Sequence, residues 1–157
     1  MTERDTGVES PNLDRRRFAA PPAQGTVKGI DLALLDPDDP DDRHLLVLAL
    51  HPELWDAIEE GQDEVEIGGL RFNPQVHLTI HEIVATQLWD DEPPETWQTA
   101  QRLIASGYER HEVLHMLSSA VAEEIWGALQ GGRDYDEAHY LAALAALPDS
   151  WERKPCP

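Results

Sequence analysis

The 157-residue sequence has little cysteine and few basic residues, and both shortages restrict its function. Its single cysteine, Cys156, excludes a disulfide framework and a thiolate zinc site, because each of these needs several cysteines. Lysine and arginine together number 12, against 31 aspartates and glutamates, so the formal net charge is −19. Nucleic acids and anionic membrane surfaces repel such a chain, and the composition therefore predicts neither as a partner.

Long hydrophobic runs are also missing. No apolar segment approaches the roughly 20 residues that cross a bilayer, and the opening MTERDTG lacks the basic and then apolar pattern of a secretory signal. The length is that of one ordinary domain. The sequence therefore predicts a single soluble domain, with the cytoplasm as its expected location.

Polar segments at both ends of the chain mark the predicted limits of this domain. Residues 1–27 show no apolar period and predict a disordered N-terminal arm, and residues 149–157 predict a C-terminal tail. The intervening residues 28–148 predict one helical domain.

The expected fold is a small, mainly helical bundle. Proline, aspartate and glycine positions predict two short helices at about 41–50 and 52–61, followed by a small β-hairpin that turns at Gly68-Gly69. Similar signals predict four longer helices at about 74–90, 94–106, 108–130 and 135–147. Short links make neighbouring helices antiparallel, so the first and third of these four should run parallel.

Two histidine pairs with H-x-x-x-H spacing open the first and third of the long helices: His77 with His81, and His111 with His115. At about 100° per residue, each pair lies within the apolar stripe of its helix and should face the core. Because both pairs lie in the opening turns of parallel helices, all four imidazoles should converge at one end of the bundle. The remaining histidines fall outside the pairs and are predicted to lie outside the site: His44, His51 and His139.

This convergence predicts a transition-metal site on His77, His81, His111 and His115. Histidines at i and i+4 can both reach one ion, and a shared ion relieves the cost of burying several imidazoles. Zinc is the default ion for such a site, and iron or copper also suits imidazole ligands. In the alternative interpretation, the histidines are hydrogen-bonded core caps of a metal-free interaction module. The acidic segment 31–66 would then bind a basic protein partner.

The third long helix also contains the motif H-E-x-x-H, which zinc proteases use. There the glutamate polarises a metal-bound water, and a third ligand comes from elsewhere in the fold. Glu112 and Glu82 are weak candidates for such a base, and Asp136 or Glu137 would have to complete the ligand set. A minimal zinc hydrolase is therefore only a minor alternative. Neither enzymatic activity nor oligomeric state follows from the sequence.

A helix start of asparagine and proline followed by the two histidine pairs resembles a bacterial family catalogued as domain of unknown function 1841. The residues that carry this resemblance are Asn73-Pro74, His77, His81, Arg110-His111, His115, Glu123-Glu124 and Trp126. It covers about residues 70–147, roughly half of the chain, and it does not clearly extend over residues 31–72. The resemblance implies that the four histidines are a shared feature of the family, and it implies no activity.

Overall fold

A computed structural model describes residues 11–151 of the chain, and in this part the protein is mainly helical. The helices are α1 (Pro11–Ala19), α2 (Pro40–Ala49), α3 (Trp55–Glu59), α4 (Pro74–Asp90), α5 (Pro94–Ala105), α6 (Arg110–Gly131) and α7 (Glu137–Ala146). The strands are β1 (Thr26–Val27), β2 (Ile30–Asp31), β3 (Val65–Ile67) and β4 (Leu70–Phe72), and single 3-10 turns lie at Leu32–Leu34 and Pro52–Leu54. The predicted helical bundle with a small hairpin is confirmed.

Helix α4 begins where the sequence predicts, because its start is specified by local chemistry. The side chain of Asn73 accepts a hydrogen bond from the Val76 amide at 2.9 Å, and Pro74 occupies the first helical position. The helix ends at Asp91, which adopts a left-handed conformation with φ of 58°. The cap places His77 in the first turn of the helix and His81 one turn further on.

The aspartate-rich stretch before α2 is used for local capping. Asp39 accepts hydrogen bonds from the amides of Asp41 and Asp42, and Asp42 in turn accepts one from the amide of Asp36. Asp38 accepts a hydrogen bond from the indole of Trp89 on α4. These contacts fix the start of α2 and dock it beside α4.

The main core lies where α4, α5, α6 and α7 pack together, and the contact of α4 with α6 is the most extensive between helices. At the centre of this core lies the fully buried Tyr140, whose hydroxyl donates to Gln87 at 2.6 Å and contacts Thr96 at 3.2 Å. The buried hydroxyl thus has hydrogen-bond partners on two other helices, and this network fixes how α7 packs against α4 and α5.

Two antiparallel strand pairs flank the bundle. The predicted hairpin is formed by β3 and β4, with Val65 opposite Phe72 and Ile67 opposite Leu70. The shorter pair of β1 and β2 lies in and just after the segment predicted to be an arm. None of the helices in residues 11–151 has both the length and the apolar composition needed to cross a membrane.

The prediction of a disordered arm over residues 1–27 is wrong for residues 11–27. Helix α1 packs against α4, and Phe18, only 8% exposed, contacts the ring of Trp97 at 5.5 Å between centroids. Arg110 of α6 donates two hydrogen bonds to the carbonyl of Phe18. The sequence shows no apolar period here because one of the side chains by which α1 docks is the polar Arg15, while the apolar contacts come from Phe18 and Ala19 at its end. Residues 1–10 lie outside the described residues.

Arg15 is the main polar anchor of α1. It is 7% exposed, and its guanidinium donates to the carbonyl of Leu88 at 2.7 Å and to that of Trp89 at 3.3 Å. It also forms an ion pair with Asp91 at 3.4 Å. The last carbonyls of α4 therefore receive their hydrogen bonds from a residue more than 70 positions earlier in the chain.

The structure covers only the first residues, 149–151, of the predicted C-terminal tail. Trp151 is half-buried and packs against the main core, so the aromatic side chain folds back onto the bundle. Residues 152–157 lie outside the described part of the chain.

Candidate metal centre

Five histidine rings meet at the end of the bundle where α4 and α6 begin. Four of them are the predicted residues His77, His81, His111 and His115, and the fifth is His51, from the link after α2. The predicted convergence of the two pairs is therefore observed. It follows from the starts of α4 at Pro74 and of α6 at Arg110, which place each pair in the opening turns of its helix.

The rings are in direct contact with one another. Ring centroids are 4.6 Å apart for His77 and His81, 4.7 Å apart for His81 and His115, and 4.6 Å apart for His111 and His115. The ring of His51 lies 4.4 Å from that of His81. One ligand atom from each of His51, His77, His81 and His115 can be chosen so that all four lie within 4.8 Å of one another.

These separations are close to those of a metal site. Two nitrogens that bind a tetrahedral zinc ion at about 2.0–2.1 Å lie about 3.3 Å apart. The Nε2 atoms of His111 and His115 are 3.2 Å apart. The widest pair in the group of four would have to close by about 1.5 Å to reach that spacing. Small side-chain rotations are sufficient for a movement of this size.

His51 is oriented by the helix that precedes it. Its Nδ1 lies 3.1 Å from the carbonyl of Val47. A carbonyl oxygen can only accept, so Nδ1 carries the hydrogen and Nε2 of the neutral ring keeps its lone pair. Histidines that bind metals are oriented in the same way, with the second nitrogen donating to a carbonyl or carboxylate.

Three of the ring nitrogens in this cluster are buried and have no hydrogen-bond partner among the described residues. They are the Nε2 atoms of His51, His77 and His81. An unsatisfied buried polar atom costs about 1–3 kcal/mol, so three such atoms in one cluster are a substantial destabilisation. Coordination to one ion would satisfy all three at once.

The pKa values of His77, His81, His111 and His115 are lowered, which favours the neutral form that binds metals. Burial, with the repulsion of neighbouring histidines, lowers the pKa of His77 to about 4 and that of His115 to about 3. The same causes, burial first, lower the pKa of His81 still further. Burial also lowers the pKa of His111, although the negative charge of Glu53 partly opposes this.

These pKa values predict that acid destabilises the metal-depleted protein. In the unfolded chain, histidines bind protons as pH falls below about 6.5, whereas His77, His81 and His115 in the folded protein stay neutral down to about pH 4 or below. The unfolded state therefore binds more protons in this window, and the free energy of unfolding decreases as pH falls from about 6.5 to 4. The free energy of unfolding should be measured by urea unfolding between pH 7.5 and 5, after a chelator has removed any metal. Its slope against pH should approach the value for an uptake of three protons per molecule on unfolding.

Replacing His115 by glutamine should reduce that slope by about one proton, because one depressed pKa is removed. A wild-type unfolding free energy that is constant over this pH range would contradict the prediction.

The structure differs from the sequence-based prediction of the site in two respects. The prediction that His51 lies outside the site is wrong, since its ring is 2% exposed and in contact with His81. The expectation that both pairs face the core does not hold for His111, which is exposed at the rim. His51 lies in a link between helices, where no helical period applies. The apolar residues 45–50 that precede it are the signal that could have found it.

The candidate acidic residues lie apart from the group of four histidines. Glu82 is hydrogen-bonded to Nδ1 of His44, on the side of α4 that faces α2. Glu112 is half-buried in the first turn of α6 and is not a member of the group. Asp136 caps the start of α7, where it accepts hydrogen bonds from two amides, and Glu137 is the exposed first residue of that helix.

Asp136 and Glu137 come after the C-terminal end of α6 at Gly131. At 1.5 Å per residue, that end lies about 24 Å along α6 from His115. Neither is placed to complete a protease ligand set with the H-E-x-x-H histidines, so the geometry gives no support to a minimal zinc hydrolase.

Comparison with protein families identifies a match. The model of the family described as Domain of unknown function (DUF1841) matches residues 38–146, which is most of the chain. The match begins before α2 and so includes His51 together with both predicted pairs. No curated protein and no solved structure matches the chain.

Proposed function

The chain belongs to the DUF1841 family, and from the geometry of its histidine cluster we propose that it is a transition-metal-binding protein. The proposed ligands are His51, His77, His81 and His115, and His111 lies within reach at the rim. The proposal keeps both predicted pairs and adds a fifth histidine that joins α2 to the site.

The observation that carries this proposal is the set of buried Nε2 atoms of His51, His77 and His81, which have no hydrogen-bond partner among the described residues. A structural core histidine normally donates and accepts hydrogen bonds when it is buried. Here the nitrogens lie instead beside other imidazole nitrogens, and one ring, that of His51, is held in the ligand tautomer by the carbonyl of Val47.

The donor set determines which ions fit. Imidazole nitrogens suit zinc, copper, iron and nickel, whereas calcium and magnesium prefer oxygen ligands. Zinc is the ion we expect by default, and iron or copper is compatible with the same ligands. The N-termini of α4 and α6 disfavour a cation by about 0.3–1 kcal/mol each, which is small beside the roughly 10 kcal/mol of a structural zinc site.

The test is the metal content and affinity of the full-length protein purified without an affinity tag. We expect about one transition-metal ion per chain by elemental analysis. Chelation should lower the melting temperature and added zinc should restore it, because a ligand bound only by the folded state stabilises that state. A metal-free protein whose melting temperature responds neither to chelator nor to zinc would overturn the proposal.

That negative result would favour the alternative of a metal-free interaction module, in which the acidic segment 31–66 binds a basic protein partner. Part of the acidity of that segment already has partners within the chain, since Asp38, Asp39 and Asp42 accept hydrogen bonds from described residues. The histidine geometry therefore supports metal binding better than the acidic segment supports a partner.

A further inference from the structure

The five histidines differ sharply in their exposure to solvent. His51, His81 and His115 are 2%, 5% and 7% exposed, and His77 is half-buried. His111 is exposed, although its Nε2 lies 3.2 Å from Nε2 of His115. One imidazole thus reaches the cluster from the solvent side, while the other four are held between α2, α4 and α6.

His111 also lies further from the centre of the cluster than the other four histidines. It is not a member of the group whose ligand atoms lie within 4.8 Å of one another. Its ring centroid is 4.6 Å from that of His115, but the His111 ring is exposed whereas that of His115 is buried. It therefore lies at the edge of the site, within bonding distance of an ion that sits beside His115.

A divalent ion bound only by neutral histidines would favour an additional ligand from solvent. Imidazoles are neutral, so a divalent ion bound only by histidines keeps its full charge in a largely buried position. The group of four contains no carboxylate. A lone-pair donor from solvent can approach such an ion on the rim side, where His111 lies.

Given the metal site proposed above, on which this step rests, we infer that His111 is an exchangeable ligand at a solvent-facing coordination position. The four inner histidines hold the ion, and the His111 ring alternates between binding it and leaving its position to a small lone-pair donor from solvent. The ligand class is therefore water, a small anion or a small nitrogen base, which with the four inner histidines would make the ion five-coordinate.

The test uses full-length protein loaded with Co²⁺, whose visible absorption reports the ligand number and geometry. His111→Ala should keep about one Co²⁺ per chain, with a changed spectrum, because the inner ligands are intact. Azide should bind the cobalt of this variant about tenfold more tightly or better than that of the wild type. A position that the ring occupies nine-tenths of the time weakens the apparent affinity of a competitor by about this factor.

Added imidazole, which binds a metal only in its uncharged form, should restore the wild-type spectrum of His111→Ala. This second probe does not feel the nearby charge of Glu53, which acts on the His111 position in both proteins. His44→Ala is the matched control, because His44 lies outside the cluster on α2, and its azide affinity should equal that of the wild type. Far-ultraviolet circular dichroism checks the helices, and His111→Gln serves as a second variant.

The outcomes separate this inference from the proposed function. Loss of Co²⁺ from His111→Ala, to the extent seen for His115→Ala, would make His111 an ordinary inner ligand and overturn the exchangeable position while metal binding stands. Equal azide affinity in wild type and variant would also overturn it. A wild-type protein that takes up no Co²⁺ and no zinc would instead remove the proposed function itself.

Discussion

Replacing His51 by glutamine should abolish most of the metal-dependent stabilisation of the protein. At a zinc concentration a hundredfold above the dissociation constant, the wild type should gain about 2.7 kcal/mol in the free energy of unfolding. For a chain of this size that corresponds to a rise in melting temperature of about 5–10 °C. The variant should lose nearly all of this rise, because His51 supplies a buried Nε2 at the centre of the cluster.

His44→Gln is the matched control for this measurement. Both histidines belong to the α2 segment, but His44 is bonded to Glu82 and lies outside the cluster, so its variant should keep the full zinc-dependent rise. Thermal unfolding of each protein with and without zinc, together with elemental analysis, tests whether His51 is a ligand. If His51→Gln retained the wild-type metal content and the full rise, His51 would not be a ligand.

Replacing Arg15 by alanine should destabilise the fold strongly, although Arg15 contacts the opposite end of α4 from the histidine cluster. The buried guanidinium donates to the carbonyls of Leu88 and Trp89 at the end of α4. Hydrogen bonds from charged groups contribute about 1.5–3 kcal/mol each, and their loss leaves the carbonyls unsatisfied. We expect the free energy of unfolding to fall by about 2–4 kcal/mol, measured by urea unfolding.

Arg17→Ala is the comparison for this prediction, since Arg17 is exposed on the same helix. Its effect should be clearly smaller than that of Arg15→Ala, because an interaction made in an exposed position contributes less than one made in a buried position. An effect of Arg15→Ala below about 0.5 kcal/mol would mean that α1 adds little to stability, as expected for the disordered arm predicted from the sequence.

The parts of the fold that the sequence predicted well are those specified by local chemistry. The start of α4 follows from the Asn73 cap and from Pro74, and both are visible in the sequence before any packing is known. The β3–β4 hairpin follows in the same way from Gly68-Gly69 and the alternation around it. The alignment of the two histidine pairs also follows, because it needs only helix starts, helical spacing and short links.

The missed features depend on contacts between segments far apart in sequence. Arg15 anchors α1 through carbonyls more than 70 residues away, and a polar residue that binds backbone leaves no period in its own sequence. His51 enters the site because α2 packs against α4, which places the link after α2 beside the opening turns of α4. Neither contact could be read from the spacing of residues within one helix.

The sequence by itself therefore determined the helices from α2 onward, the β3–β4 hairpin and the meeting of His77, His81 and His115, because each depends on local geometry and short links. Only the tertiary structure decided that His51 completes the group and that His111 lies at its exposed rim. Burial and the choice of neighbours depend on which faces of different helices come together, and the packing of α2, α4 and α6 settles this only when the chain has folded.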